Sequence, residues 1–460
     1  MTFPSMMFLF LFLPCTLGMY IFMKPKARKV LLLLFSLFFY AWGGIGNACF
    51  LLLFVCVVYA LGRYIGAVGK QRRTRRMRES MALLILLLFY FKYYGFFLDT
   101  LFSFIPITVS YEVLPMPLGI SFITFTAMAY LMDIRRDTIQ PASFLNLAVY
   151  LTFFPKLVMG PIERYGNWIQ QLKDTWSPAM LEEGAIRFLM GLSQKLLLAD
   201  ALAPLWSYTS SHDVSLVSAW LGLMAYTFQI YFDFQGYMNM AIGLGKMFGF
   251  HLQENFDHPY TSSSITEFWR RWHMTLGSWF RDYVYIPLGG NRRGLLCTLR
   301  NLLLVWGLTG FWHGASWNFL LWGLYYGVLL ILEKFVLHRL WKRIPSFLRV
   351  LSTFVLVMLG WVLFANSDMS EALQYYKQLF TAAHGLVDMQ TLTLLVNYGF
   401  RLLAAALFST SVPLILGSNI MYALRAQQWY LKPVFTCVVL LVLLSCLMSG
   451  GYQSFLYVQF

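Results

Sequence analysis

The sequence predicts an all-α polytopic membrane protein, and three observations carry that prediction. Hydrophobic residues fill 59% of the 460 positions. Charged residues fill only 12%, about half the share of a typical soluble domain. About eleven or twelve apolar runs can be marked against the roughly 20 residues that one bilayer crossing requires. Mean hydropathy is +0.62. This composition excludes an ordinary soluble enzyme, a disordered chain and a nucleic-acid module. The net charge of +15 does not reverse that reading. It sits in short segments beside apolar runs, the pattern of a membrane protein's cytoplasmic loops. Six scattered cysteines with no C-x-x-C pair indicate neither a disulfide framework nor a zinc site.

The runs follow one another along the chain. Residues 8–22 have no clear basic segment before them and read as a retained span rather than a cleaved signal. Lys24, Lys26, Arg28 and Lys29 come next, then spans at 30–42 and 49–65. A second basic loop holds Lys70, Arg72, Arg73, Arg75, Arg76 and Arg78. Two spans separate the basic loops, so they share one side of the membrane. The excess of positive charge makes that side cytoplasmic and places the N-terminus outside. Further runs cover 81–101, 117–132, 145–159, 186–205, 217–234 and 238–250. The rest lie at 302–332, 348–364, 392–416 and 434–447. The longest polar stretch between runs, 160–183, is too short for a soluble domain. The expectation is one membrane domain over 1–460, with a core near 80–380 flanked by 1–79 and 381–460.

Three places break the apolar pattern. In residues 264–288, Ser264 and Glu267 fit a capping box. Ile265, Trp269, Trp272, Leu276, Trp279 and Tyr283 then recur in steps of three and four, which predicts one amphipathic helix. It carries too much charge to span lipid alone and belongs at the interface or re-entering within protein. His273 falls on the flank of its apolar face. On the residues alone, an interfacial helix with snorkelling arginines and an incidental histidine is the favoured reading. In residues 301–333, Gly310-Phe311-Trp312-His313-Gly314 places a histidine deep in an apolar run. An ionisable group there is a functional hypothesis by default, and histidine suits general base work near neutral pH. A buried histidine bonded to a neighbouring carbonyl is the plain alternative. Glycines 307, 310, 314, 323 and 327 allow close backbone approach or a helix break. Third, Asp233 sits in Tyr-Phe-Asp-Phe-Gln-Gly-Tyr (231–237), where it orients a histidine, lines a polar tunnel or, the favoured reading, pairs with a buried arginine. The adjacent Glu163 and Arg164 read as an interfacial anchor. No G-x-S-x-G, P-loop, G-x-G-x-x-G or H-E-x-x-H motif is present.

An ordered set of motifs resembles the membrane-bound O-acyltransferase family, in its bacterial alginate and peptidoglycan O-acetyltransferase branch. It runs from PLGISF (117–122) through FPKLVMGPI (154–162), YFDFQGY (231–237) and ENFDHPY (254–260). FWRRWHMTL (268–276), WFRDY (279–283), IPLGGNR (286–292) and GFWHG (310–314) follow, then WVLF (361–364). The resemblance implies a helical bundle around a tunnel, with His313 and His273 as catalytic residues. His313 would be the general base, and His273 would orient it or hold the oxyanion. Trp269, Arg270, Trp272, Arg281, Asp282, Trp312, Asn318 and Asp233 would line the tunnel or bind substrate, the tryptophans crowding it to suit an acetyl group.

The resemblance implies acetyl transfer from a cytoplasmic thioester, acetyl-CoA or an acyl carrier, with no bound cofactor. The implied partners are membrane lipids, the donor, a polysaccharide acceptor and an extracytoplasmic acetyltransferase protein, without nucleic acid. The expected location is the bacterial cytoplasmic membrane. The rival readings are D-alanyl transfer to teichoic acid, long-chain acylation of lipids or secreted proteins, a proton-coupled transporter and a non-enzymatic export scaffold.

Overall fold

A computed structural model describes the chain apart from residues 106–110, 113, 173–175, 342, 367, 424–427, 451–453 and 457–460. Part of the polar stretch 160–183 thus lies outside the described residues. The described residues are helical, with one isolated antiparallel bridge between Phe256 and Trp272. Among them, seven helices are long and apolar enough to cross a membrane: Ile45–Gly66, Lys70–Ser103, Pro178–Ser211, Leu295–His313, Trp317–Leu337, Ser346–Ala365 and Met389–Phe408. Two shorter apolar helices are Phe8–Phe22 and Pro433–Met448.

Several runs expected as single spans fold otherwise. Run 145–159 becomes a Phe144–Thr152 helix and a four-residue Phe154–Leu157 turn, parted at Phe153 (φ −51°, ψ 106°). Pro155 sits in that turn's first residues, where its missing N–H costs nothing. Runs 217–234 and 238–250 form one 32-residue helix, Leu216–Met247. A lone glycine between them costs only about 1 kcal/mol, too little to end a helix. Run 302–332 is a hairpin of the Leu295–His313 and Trp317–Ile331 helices, with Ser316 capping the second. Run 392–416 breaks after Phe408, where the Ser409 and Thr410 hydroxyls turn back to bond Ala406 and Leu407 carbonyls. The second basic segment is not a loop: Lys70–Leu88 is helical, and Arg75 pairs with Glu79 one turn on.

The chain divides into two compact units. The first comprises residues 1–188 and 238–254, the second residues 189–237 and 255–460. The first has an aromatic core in which Phe8, Phe12, Phe39 and Phe248 pack on Phe154, and Trp168 stacks on Phe250 at 4.4 Å. Glu163 lies in this core, 1% exposed, and its carboxylate accepts the Gln253 N–H at 2.5 Å. It is therefore not an interfacial anchor. Burial pushes its pKa up to about 6, against the opposing pull of the Gln253 N–H and of Lys156.

In the second unit, Val214, Ala219 and Leu223 pack with Met358, Val362, Tyr375 and Leu379. A second buried feature is ionic. Lys195 Nζ lies 2.6 Å from Asp233 Oδ1 and 2.7 Å from Asp200 Oδ1, all three side chains 4% exposed or less. The partner of Asp233 is thus a lysine rather than the expected arginine. Lys195 reaches it because both face the same interior from the Pro178–Ser211 and Leu216–Met247 helices.

Candidate active site

The site lies in the second unit and begins at a helix that fails to continue. The 264–288 segment is two helices, Ile265–Arg271 and Met274–Phe280, followed by a wider π turn at Arg281–Tyr285. Its start follows the capping prediction in part. Ser264 Oγ accepts the Glu267 N–H, while the Glu267 carboxylate takes the Ser263 N–H and hydroxyl instead of closing the box on Ser264. Glu333 adds a second cap, accepting the Ile265 N–H at 2.7 Å.

The break falls at His273, whose φ of +47° is one of three positive values outside glycine among the described residues. A left-handed conformation is costly for a residue with a Cβ and persists only where surrounding bonds enforce it. Here the bonds come from residues 255–257. Asp257 N–H donates to the Arg271 carbonyl and Met274 N–H to the Asn255 carbonyl, both at 3.0 Å. Phe256 bridges Trp272 between them. These bonds take up backbone groups at the break, and turn the His273 ring to a place that one continuous helix does not predict.

His273 is 2% exposed and packs edge-on to Phe234 at 4.9 Å. Burial pushes its pKa down to about 3, so the ring is neutral near pH 7. Its Nδ1 lies 3.2 Å from Asn255 Oδ1. His313 is the last residue of the Leu295–His313 helix and is 4% exposed. The His313 ring packs on Trp322 at 5.0 Å and Phe364 at 5.3 Å. Trp312 adjoins both histidines, 6.1 Å from His273 and 4.8 Å from His313 between ring centroids.

Two glycines let the hairpin close on itself. A Cβ on Gly310 would stand 2.1 Å from the Phe319 carbonyl oxygen, and one on Gly323 would stand 2.2 Å from that of Trp306. Only glycine permits this approach, and it sets the position of His313 less than one turn further on.

Both histidines line one cavity of about 1110 Å³. Trp269, Trp272, Trp306, Leu302 and Val305 give it an apolar wall, and Arg270, Arg281 and Lys334 add positive charge. Trp269 is wedged against Trp306 at 4.6 Å and Tyr326 at 4.7 Å. Of the residues expected at the tunnel, Trp269, Arg270, Trp272 and Arg281 line this cavity. Trp312, Asn318, Asp282 and Asp233 are not in its lining. Asp282 accepts from Arg281 Nε at 2.8 Å. Asn318 is buried and donates to the Asn366 carbonyl at 2.8 Å. Asp233 belongs to the lysine triad. Sequence reasoning passed over Asn255, Trp306 and Glu333. It also passed over Lys195, although a lysine inside an apolar run is the same signal that drew attention to His313.

The second unit's fold and site define a class: a multi-pass helical membrane protein with two buried histidines at one largely apolar cavity, whose lining also carries Arg270, Arg281, Lys334 and Glu333. Residues 35–349 match the model of MBOAT, the membrane-bound O-acyltransferase family. The chain belongs to that family and is an acyltransferase. A probable alginate O-acetylase, AlgI, of Azotobacter vinelandii is 40% identical over 421 residues, covering 86% of this chain and 83% of the relative. A peptidoglycan O-acetyltransferase of Helicobacter pylori is 32% identical over 98% of this chain and 90% of its own. A teichoic acid D-alanyltransferase of Bacillus subtilis is 28% identical over 54% of this chain and 68% of its own.

Proposed function

We propose that the protein moves an acetyl group from a cytoplasmic thioester, acetyl-CoA or an acyl carrier, to hydroxyls of an extracytoplasmic polysaccharide. The observation that carries this reading is the single cavity lined by both histidines. Small-molecule sites typically occupy about 300–1,000 Å³. At about 1110 Å³ this one exceeds the needs of an acetyl group and has room for part of the donor's carrying arm. Arg270, Arg281 and Lys334 suit the phosphates of such a donor. In the reaction, the acceptor hydroxyl gives its proton to His313 as its oxygen forms the new C–O bond. The C–S bond then breaks, and the leaving thiolate recovers a proton from the imidazolium. A positioned base of this kind typically contributes about 10²–10⁴-fold.

The relatives favour acetyl over D-alanyl transfer. The acetyltransferases match 86–98% of the chain, the D-alanyltransferase 54%. Alginate and peptidoglycan are the first acceptors to test, with an extracytoplasmic partner completing the transfer. We place the protein in the bacterial cytoplasmic membrane, N-terminus outside, as one functional domain of about eleven crossings around a tunnel.

The test is thioester cleavage by purified protein in lipid nanodiscs, given acetyl-CoA and acceptor oligosaccharides with or without a partner protein. Wild type and His313→Ala run side by side, with melting curves confirming that both fold. Loss in the mutant supports the assignment. Equal cleavage in both removes His313 from the chemistry and reopens the transporter and scaffold readings. If neither cleaves, the acyl carrier thioester replaces acetyl-CoA, and failure there too ends the acyltransfer assignment.

A further inference from the structure

We infer that Asn255 is a positioning residue that locks His273 into the tautomer with its proton on Nδ1, so that His273 serves the reaction as a hydrogen-bond acceptor and not as an oxyanion donor.

The argument starts from one atom, Asn255 Oδ1. Three groups converge on it: the Thr275 backbone N–H at 3.0 Å, the Thr275 hydroxyl at 3.0 Å and His273 Nδ1 at 3.2 Å. Side-chain amide oxygen and nitrogen are easily exchanged in assignment. Here a backbone N–H, which can only donate, settles the identity. The atom it meets must be the oxygen, and an amide oxygen only accepts. His273 Nδ1 must therefore carry the proton. A neutral imidazole has one N–H, so Nε2 holds the lone pair. The ring is deeply buried, and a fixed charge there is costly. Without its proton, Nε2 has nothing to donate to a developing oxyanion.

The rest of the segment holds this arrangement in place. The Asn255 carbonyl accepts the Met274 N–H, so backbone and side chain of one residue hold the two peptide N–H groups that follow His273. The positive φ at His273 is the conformation that keeps its Nδ1 and the Thr275 N–H on the same oxygen. Asn255 thus acts on the cavity through His273, and it is absent from the cavity lining itself.

The inference rests on the acyl-transfer reading for its consequence but not for its test. With ¹⁵N-histidine-labelled wild-type protein in nanodiscs, the His273 signals are assigned by their loss in His273→Gln. The expected result is a proton on Nδ1 and a bare Nε2. A proton on Nε2 overturns the inference, whatever the activity assays show. Asn255→Ala should move the proton to Nε2, the form a free histidine side chain favours in water, and should lower kcat at least tenfold with the donor KM within about twofold. Asn255→Asp keeps an acceptor at the same place and should restore the Nδ1–H form and most of the lost rate. An Asn255→Ala protein that keeps the Nδ1 proton also overturns it. If the spectra agree but donor cleavage is absent in wild type, the tautomer stands and the acyl-transfer reading falls.

Discussion

Replacing Gly310 with alanine should disable the protein, while the same change at Gly307, one turn earlier on the same helix, should not. The Gly310 Cβ would stand 2.1 Å from the Phe319 carbonyl oxygen and 3.1 Å from the Gly323 Cα. Carbon–oxygen contacts relax at roughly 3.3 Å, so the hairpin must open by about 1 Å there. The obstacle is backbone on a packed helix, which cannot swing aside as a side chain can. Overpacking of this kind typically costs about 1–3 kcal/mol. The same shift displaces His313, three residues on, by a similar amount. A 1 Å misplacement of a catalytic group can cost about 10²-fold in rate. At Gly307 the added methyl meets only Leu320 Cδ1 at 3.8 Å and Leu324 Cδ2 at 3.9 Å, ordinary contacts. There the gain in helix propensity, about 0.5–1 kcal/mol, should show as an equal or higher melting temperature. Melting curves and donor-cleavage rates in nanodiscs read both effects. A Gly310→Ala protein that melts and turns over like Gly307→Ala would refute the claim that close hairpin packing sets the His313 position.

Two further substitutions test other parts of the structure. Lys195→Met leaves Asp200 and Asp233 as two buried carboxylates without their cation, and should cost about 3–5 kcal/mol. Adding Asp200→Asn and Asp233→Asn should recover most of that loss in a thermal unfolding assay, and an unchanged melting temperature in the single mutant contradicts the triad. Trp312→Ala removes the ring that adjoins both histidines. If the tryptophans set acyl size, propionyl and butyryl donors should gain on acetyl by at least tenfold, since one methylene in a pocket is worth about 1–3 kcal/mol. Unaltered acyl preference in competition assays removes Trp312 from that role.

The two histidines were legible in the sequence for different reasons. His313 stood out because an ionisable side chain interrupts an apolar run. His273 stood out by its place in the FWRRWHMTL motif, and the helical wheel misplaced it. A wheel assumes continuous 3.6-residue periodicity, and the chain breaks at that residue. Asn255 was visible as a letter in ENFDHPY but had no readable role, because its partners lie 18 and 20 positions away. Trp306 was read as one more apolar residue of a run. Asp233 was recognised as needing a partner, and only the packing of two helices named Lys195.

The sequence by itself determined what depends on sums over neighbours. Burial of apolar surface in lipid follows from composition and run length, so membrane residence and helical class could be read directly. The capped start at Ser264 could be read because a cap involves residues three apart. The tertiary structure decided which runs break, which buried charges meet and which nitrogen of His273 carries its proton. Each of these depends on a hydrogen bond or contact between distant segments. Local propensities of about 1 kcal/mol or less cannot prevail against such bonds, and they leave no periodic trace in the chain.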